Sequence, residues 1–286
     1  MIIRVRRIAA VCALGTALTA LAACSAPQPV RAPRATAGSA VASASPAAGP
    51  PTLAPGPAGL TPVFEHGPRT GDRSVALTFD ADMTADQGPR AARGERFDNP
   101  GLIAALRELK VPATVFMTGR WAEQYPRQAR SLGRDPLFEI ANHSYSHYAF
   151  TEDCYGLPTV DEERMRTDVE RAYAAFREAG VPDPMPYFRF PGGCHDTRAL
   201  RALTPAGVTA VQWDVVSGDA FATDAGAVAR EVLDGVRPGS VVVLHCTLSA
   251  APTTERVVRE VVPELRGKGF RFVKVSELIG ASGGRR

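Results

Sequence analysis

From residue 74 onward, short runs of β-branched and apolar residues alternate with longer stretches of helical periodicity, and this alternation restricts the available folds more than any other feature. Ser74-Val-Ala-Leu-Thr-Phe79, Ala113-Thr-Val-Phe-Met117 and Leu137-Phe-Glu-Ile-Ala141 read as buried strands. So do Tyr187-Phe-Arg-Phe190, Val208-Thr-Ala-Val-Gln-Trp213, Ser240-Val-Val-Val-Leu244 and Phe270-Arg-Phe-Val273. Between them, Asn99-Pro100 opens a helix with a capping residue followed by proline at the first turn, and Leu102, Leu106 and Leu109 form its apolar stripe. A longer helix is predicted over 161–179, with Met165, Val169, Ala172 and Phe176 on one face and Gly180 as its stop. Further helical stretches lie near 197–205, 225–235 and 253–266. Regular strand–helix alternation implies a mainly parallel sheet, as an open doubly wound sheet or as a barrel.

The remaining sequence divides the 286-residue chain into three parts. Residues 1–24 read as an export signal: Arg4, Arg6 and Arg7 precede an apolar stretch from Ile8 to Ala20 that is short for a membrane span. The segment ends Leu21-Ala-Ala-Cys24, which resembles a bacterial lipobox and implies cleavage before Cys24 and its lipidation. The expected location is therefore extracytoplasmic, on the membrane through that lipid alone, or secreted if the signal is an ordinary one. Residues 25–60, almost entirely Ala, Pro, Ser, Gly and Thr, bury too little apolar surface to offset their ordering entropy and are expected to form a flexible tether. Residues 61–286 suit one large domain. The formal net charge of +3, with no aromatic-interleaved basic run, gives nucleic-acid binding little support. Of the five cysteines, Cys154, Cys194 and Cys246 lie in the domain, so at most one intrachain disulfide forms, from three possible pairings. A bridge between the loops carrying Cys194 and Cys246 and a free thiol near a metal are both open. The sequence carries no signal for oligomeric state.

The polar clusters sort to one end of the predicted sheet. Asp80 and Asp82 follow the first strand, His143 and His147 the third, Arg189 ends the fourth, Asp214 the fifth and His245 the sixth. The carboxyl ends of parallel strands are where α/β folds assemble their sites. The histidines in His143-Ser-Tyr-Ser-His147 are four residues apart, which would place both imidazoles on one face of a helical turn, suited to one metal ion. Ser144 occupies the position at which a zinc protease carries its catalytic glutamate, so that reading fails. An acidic ligand and a base must come from elsewhere, with Asp80 and Asp82 as the candidates.

Taken in order, these segments resemble the polysaccharide deacetylase family, the family 4 carbohydrate esterases with a NodB-homology domain. Leu77-Thr-Phe-Asp-Ala-Asp82 is similar to the family's Thr-Phe-Asp-Asp-Gly, His143 to His147 to its His-(Ser/Thr)-x-x-His, and Phe188-Arg-Phe-Pro-Gly-Gly193 to its Arg-Pro-Pro-Tyr-Gly. Trp213-Asp-Val-Val-Ser-Gly-Asp219 and Val243-Leu-His245 resemble the fourth and fifth motifs. The resemblance implies a distorted (β/α)7 barrel and one divalent metal, usually zinc, held by an aspartate and two histidines. It implies Asp80 as base, Arg189 pinning that carboxylate, and His245 as the acid protonating the leaving amine. Leu244 would line the acetyl-methyl pocket, and a backbone N–H of the Pro191-Gly192-Gly193 turn would be an oxyanion donor. The implied activity is removal of N-acetyl groups from an N-acetylglucosamine-containing polysaccharide such as peptidoglycan or chitin. O-acetyl xylan esterase activity and a catalytically impaired glycan-binding lipoprotein are the alternatives.

The chain also departs from the pattern. The paired aspartates become Asp80-Ala81-Asp82, and in an extended strand 80 and 82 share a face. Asp82 is the expected ligand with His143 and His147; direct ligation by Asp80 with Asp82 as base is the alternative, and a two-histidine site a third. Gly192 stands where relatives often carry an aromatic, which would open that wall of the cleft. Val216 stands where many relatives have aspartate, leaving Asp214 and Asp219 as candidates to tune His245 or Arg189. Trp213 is either a substrate wall or core.

Overall fold

The computed structural model describes residues 49–283. The export segment with Cys24, and 25–48 of the expected tether, lie outside the described residues. The tether prediction needs correction at its end, because 49–60 lie against the domain. Tyr187 donates its hydroxyl hydrogen to the Pro51 carbonyl at 2.8 Å, and Leu53 N–H donates to Thr209 Oγ1 at 3.3 Å. Low apolar content did not prevent packing there, since backbone groups supplied the contacts.

Among the described residues the strands are β1 (Val63–Phe64), β2 (Ser74–Ala81), β3 (Ala113–Met117), β4 (Phe138–Asn142), β5 (Tyr187–Phe188), β6 (Thr209–Val211), β7 (Val215–Val216), β8 (Ser240–His245) and β9 (Arg271–Phe272). All seven predicted strands form, and β1 and β7 are additions. The helices are α1 (Gln87–Ala92), α2 (Pro100–Glu108), α3 (Gly119–Gln124), α4 (Pro126–Gly133), α5 (Glu162–Ala179), α6 (Thr197–Leu203), α7 (Ala225–Gly235), α8 (Thr254–Gly267) and α9 (Val275–Ala281). Asn99 caps α2 by accepting from Leu102 N–H at 3.0 Å, and Gly180 ends α5 in the left-handed conformation at φ 78°. No helix among the described residues is long and apolar enough to cross a membrane.

The strands pair in the order β1-β6-β5-β4-β3-β2-β8-β7, with β9 on the amino end of β2, and every pairing is parallel. β6 and β7 lie near opposite ends of that order, yet only residues 212–214 join them. So short a link spans about 10–14 Å at most. The sheet therefore curls until its two sides meet, and β6–β7 acts as one interrupted strand closing a distorted (β/α)7 barrel. The strand alternation separates inward from outward packing. Val75, Leu77, Phe79 and Ala81 pack outward with Val242, Leu244 and the helices, whereas Ala76, Phe116, Ala141, Tyr187, Val211 and Val241 fill the barrel.

Candidate active site

Asp80 belongs to the inward face of β2, and Ala81 to the outward one. Asp80 is buried, and its Oδ1 accepts from Arg189 Nη1 at 2.7 Å. Arg189, at the end of β5, is also buried and is held on every side. Its Nε donates to the Val211 carbonyl at 3.2 Å and its Nη2 to the Gln212 carbonyl at 3.4 Å. The guanidinium lies 3.9 Å from the Phe116 ring centroid and 5.3 Å from that of Trp213. A buried arginine so constrained fixes the orientation of the carboxylate it grips.

The two histidines stand four residues apart but not on a helix. They follow β4 in a loop in which Ser144 (φ 67°) and His147 (φ 57°) adopt left-handed backbone conformations. Side chains hold that loop: Asn142 Oδ1 accepts from Ser144 N–H at 2.8 Å, and Ser144 Oγ accepts from His147 N–H at 2.9 Å. Asp168 Oδ1, reaching over from α5, accepts from the N–H groups of Tyr145 at 2.7 Å and Ser146 at 3.2 Å. Local polar bonds to the backbone compete with helix formation, and here they prevail. His143 Nδ1 lies 2.9 Å from the Arg189 carbonyl oxygen, which can only accept, so Nδ1 carries the hydrogen and Nε2 turns toward the aspartates.

Asp82, one residue beyond β2, completes the cluster. Its N–H donates to Thr247 Oγ1 at 3.0 Å, and its Oδ1 lies 3.3 Å from His143 Nε2 and 3.6 Å from His147 Nε2. Asp82, His143 and His147 each present one ligand atom within 4.8 Å of the others. Asp80 Oδ2 lies 3.6 Å from His143 Nε2, beside the cluster. Burial opposes the charge on Asp82, but His147, His143 and His245 together hold its carboxyl well below the usual range. Burial, with smaller contributions from His143 and His245, lowers His147 to about 4. Burial opposes the charge on His143 too, yet Asp80 and Asp82 outweigh it and raise that pKa. A carboxylate and a neutral imidazole are the ligating forms of Asp82 and His147 at neutral pH. Asp82 Oδ1 is buried without a hydrogen-bond partner. One such oxygen facing two imidazole nitrogens could hold a divalent cation with a further position free.

Across from Asp80 stands His245 at the end of β8. Its Nδ1 is 2.8 Å from Asp219 Oδ1, and its backbone N–H donates to Asp219 Oδ2 at 2.8 Å. Thr254 Oγ1 donates to the same carboxylate at 2.7 Å, and Ser217 Oγ at 3.0 Å. Burial opposes the charge on His245, but Asp219 more than compensates and raises it to about 10. The same contact lowers Asp219 against its own burial. The raised pKa keeps His245 an imidazolium through neutral pH, as a general acid requires. The pair's stabilisation is greatest below the unfolded histidine value of about 6.5 and falls away as pH rises toward about 10. Asp219→Asn removes the opposing influence. We expect the alkaline limb of the kcat/KM profile to move to lower pH, and an unmoved limb would exclude His245 as the acid.

Several predicted residues take other roles. Asp214 is not at the site: its Oδ2 accepts from Arg69 and Ser240, each at 2.8 Å, and its Oδ1 from Val241 N–H at 2.7 Å. It ties the β6–β7 link to the amino end of β8, whereas His245 lies at the carboxyl end. Leu244 points outward into the helix-covered core and is fully buried, so the inward neighbour of His245 is Val243. Trp213 is half-buried, its ring against Gly193 and over Arg189, where it screens the guanidinium.

Gly192 does not open the wall. The disulfide joins Cys154 to Cys194, and an added Cβ on Gly192 would stand 2.6 Å from Cys154 Sγ and 3.3 Å from Tyr155. The 151–160 loop thus occupies the space. Cys246 remains a buried free thiol, pushed up to about 12 by burial, and is not a metal-ready thiolate. Gly192 also has φ 66°, so Gly192→Ala should lose at least about 1–2 kcal/mol, read as a lower Tm. An unchanged Tm would show that the loop yields freely.

Sequence reasoning missed Asp168, Thr247, Ser217 and Thr254. Asp168 had a visible signal, a carboxylate on the apolar stripe of α5 between Met165 and Val169. The other three are hydroxyls recognisable only once the loops are placed.

Comparison with known proteins identifies the family. The polysaccharide deacetylase family profile matches residues 67–211. A chitooligosaccharide deacetylase of Sinorhizobium fredii is 31% identical over 212 residues, covering 70% of this chain and 89% of its own. A peptidoglycan-N-acetylglucosamine deacetylase of Bacillus cereus is 26% identical over 211 residues, covering 73% and 89%. The crystal structure of the Bc1960 peptidoglycan N-acetylglucosamine deacetylase superposes with a TM-score of 0.63 at 25% identity, covering 79% of this chain and 96% of that one. The ordered motifs, the parallel barrel and the profile match together place this chain in the polysaccharide deacetylase family.

Proposed function

We propose that the protein is a metal-dependent hydrolase that removes N-acetyl groups from an N-acetylglucosamine-containing polysaccharide, with zinc as the cation. The observation that carries this reading is the Asp82–His143–His147 cluster, with its orphaned carboxylate oxygen, set between Asp80–Arg189 and Asp219–His245. A divalent cation held by those three residues would supply Lewis-acid polarisation of the acetyl carbonyl and acidify a water nucleophile. Asp80 Oδ2, the oxygen not engaged by Arg189, takes a proton from that water as its oxygen bonds to the carbonyl carbon. The turn offers one backbone donor for the developing oxyanion. Pro191 has no N–H and Gly193 N–H donates to the Phe190 carbonyl at 2.8 Å, which leaves Gly192 N–H. His245 Nε2 gives its proton to the departing nitrogen as the C–N bond breaks, yielding acetate and a free amine. Asp219 holds Nδ1 and favours the charged ring beforehand.

The test is acetate release by the metal-loaded and the chelator-treated protein from N-acetylglucosamine oligomers, peptidoglycan and acetylated xylan. Chelator-sensitive release from the N-acetylated polymers is expected. Release from xylan alone would make the protein an esterase, and release from none of them, with metal bound, would make it a glycan-binding protein.

The export segment supports placing this activity outside the cytoplasm, on the membrane through lipidated Cys24. Cys24→Ala should move the protein from the membrane to the soluble fraction, and unchanged membrane retention would exclude the lipid anchor.

A further inference from the structure

The histidine loop has two sides. His143 and His147 face the ligand cluster, while Tyr145, Ser146 and Tyr148 line a cleft of about 600 Å3 on the other. Ser146 and Tyr148 flank His147 in the chain and Ala85 lies three residues beyond Asp82, so the cleft and the cluster are built on the same two loops.

The cleft is cationic in a particular way. Arg120, Arg164 and Arg171 line it against two carboxylates, Asp161 and Asp168. Asp168 is occupied by the loop amides of Tyr145 and Ser146. Asp161 lies 3.7 Å from Arg164 with both side chains largely exposed, a pairing of little strength. Arg120 bonds Glu123 through Nη1 at 2.8 Å, but its Nε is buried with no hydrogen-bond partner. Arg171 forms no ion pair among the described residues, and its guanidinium lies over the Tyr145 ring at 3.8 Å from the centroid. Stacking preorganises that fork while leaving its N–H donors free, an arrangement that suits bidentate capture of a carboxylate.

Building on the deacetylase reading, we propose that this cleft binds a carboxylate borne by the substituent of the sugar next to the one deacetylated, so that the substrate is an acidic glycan rather than neutral chitin. Such a carboxylate is either the lactyl ether acid of a muramic acid residue or an acid of a peptide attached there.

The test is calorimetric binding by the full-length protein of three ligands: N-acetylglucosamine–N-acetylmuramic acid disaccharide, the same disaccharide carrying its stem peptide, and di-N-acetylchitobiose. At least one acidic ligand should bind more tightly than chitobiose, and Arg171→Gln should weaken that ligand about tenfold to a hundredfold while chitobiose changes far less. Arg171→Lys should restore part of the loss, and raising the salt concentration should weaken the acidic ligand selectively. Whichever acidic ligand responds identifies the source of the carboxylate. Equal weakening of all three ligands, or no preference for either acid in the unaltered protein, overturns the proposal. Binding is read without turnover, so acid-selective binding with no acetate release would remove the deacetylase reading alone, and release without acid preference would remove the cleft alone.

Discussion

A His143→Ala variant will carry no stoichiometric divalent metal after dialysis and will release no measurable acetate. Loss of a residue that only orients a metal ligand typically weakens affinity about 10–100-fold, so loss of the ligand itself should exceed that. His143 would be the ligand itself: Nε2 faces Asp82 at 3.3 Å, and Nδ1 is anchored on the Arg189 carbonyl at 2.9 Å. The truncation also leaves that carbonyl unpaired and Asp82 short of one of its two imidazole neighbours. Elemental analysis with a parallel melting curve gives the readout. The unaltered protein should lose Tm on chelation, because a cation that binds only the folded chain stabilises it. The variant should show no such response. Full metal content in the variant would take His143 out of the ligand set.

Asp80→Asn should separate chemistry from metal binding. The amide is isosteric and still offers Arg189 an oxygen, but it cannot take a proton from water at neutral pH. The expected loss is about 10²–10⁴-fold in kcat, the usual contribution of a positioned acid or base, with metal retained at one per chain. A lower Tm should accompany it, since the buried Arg189 loses its counter-charge. If the metal leaves instead and Asp82→Asn keeps it, the two aspartates have exchanged roles.

Much of this arrangement was legible because it rests on periodicity. Buried strands such as Ala113–Met117 announce themselves as apolar runs, and α2 and α5 by their caps and stripes. The sorting of Asp80, Asp82, His143, Arg189 and His245 to strand ends follows from the same alternation. α1, α3, α4 and α9 go unmarked in the sequence reading, although Thr118 capping Trp121 N–H and Pro126 at a first turn are available signals. What failed was geometry in the third dimension. The four-residue histidine spacing suggested a helix, and the loop won through Asn142, Ser144 and Asp168. Asp214 and Asp219 are equivalent in composition, and only the path of β8 shows that one meets Ser240 and the other His245. Leu244 was assigned to the wrong face of its strand, an error of one residue that reverses everything. Disulfide choice depended on 151–160 lying over Gly192, a contact between segments far apart in the chain.

The grip on Arg189 has a consequence for how the enzyme fails. Its guanidinium bonds at once to Asp80 on β2 and to the Val211 and Gln212 carbonyls where the interrupted strand crosses the barrel seam. Parting that seam and releasing Asp80 are consequently one event. Local fluctuations that unzip the seam should inactivate each molecule completely rather than slow it, so under mild denaturant activity should decline in proportion to amide exchange at Val211 and Gln212.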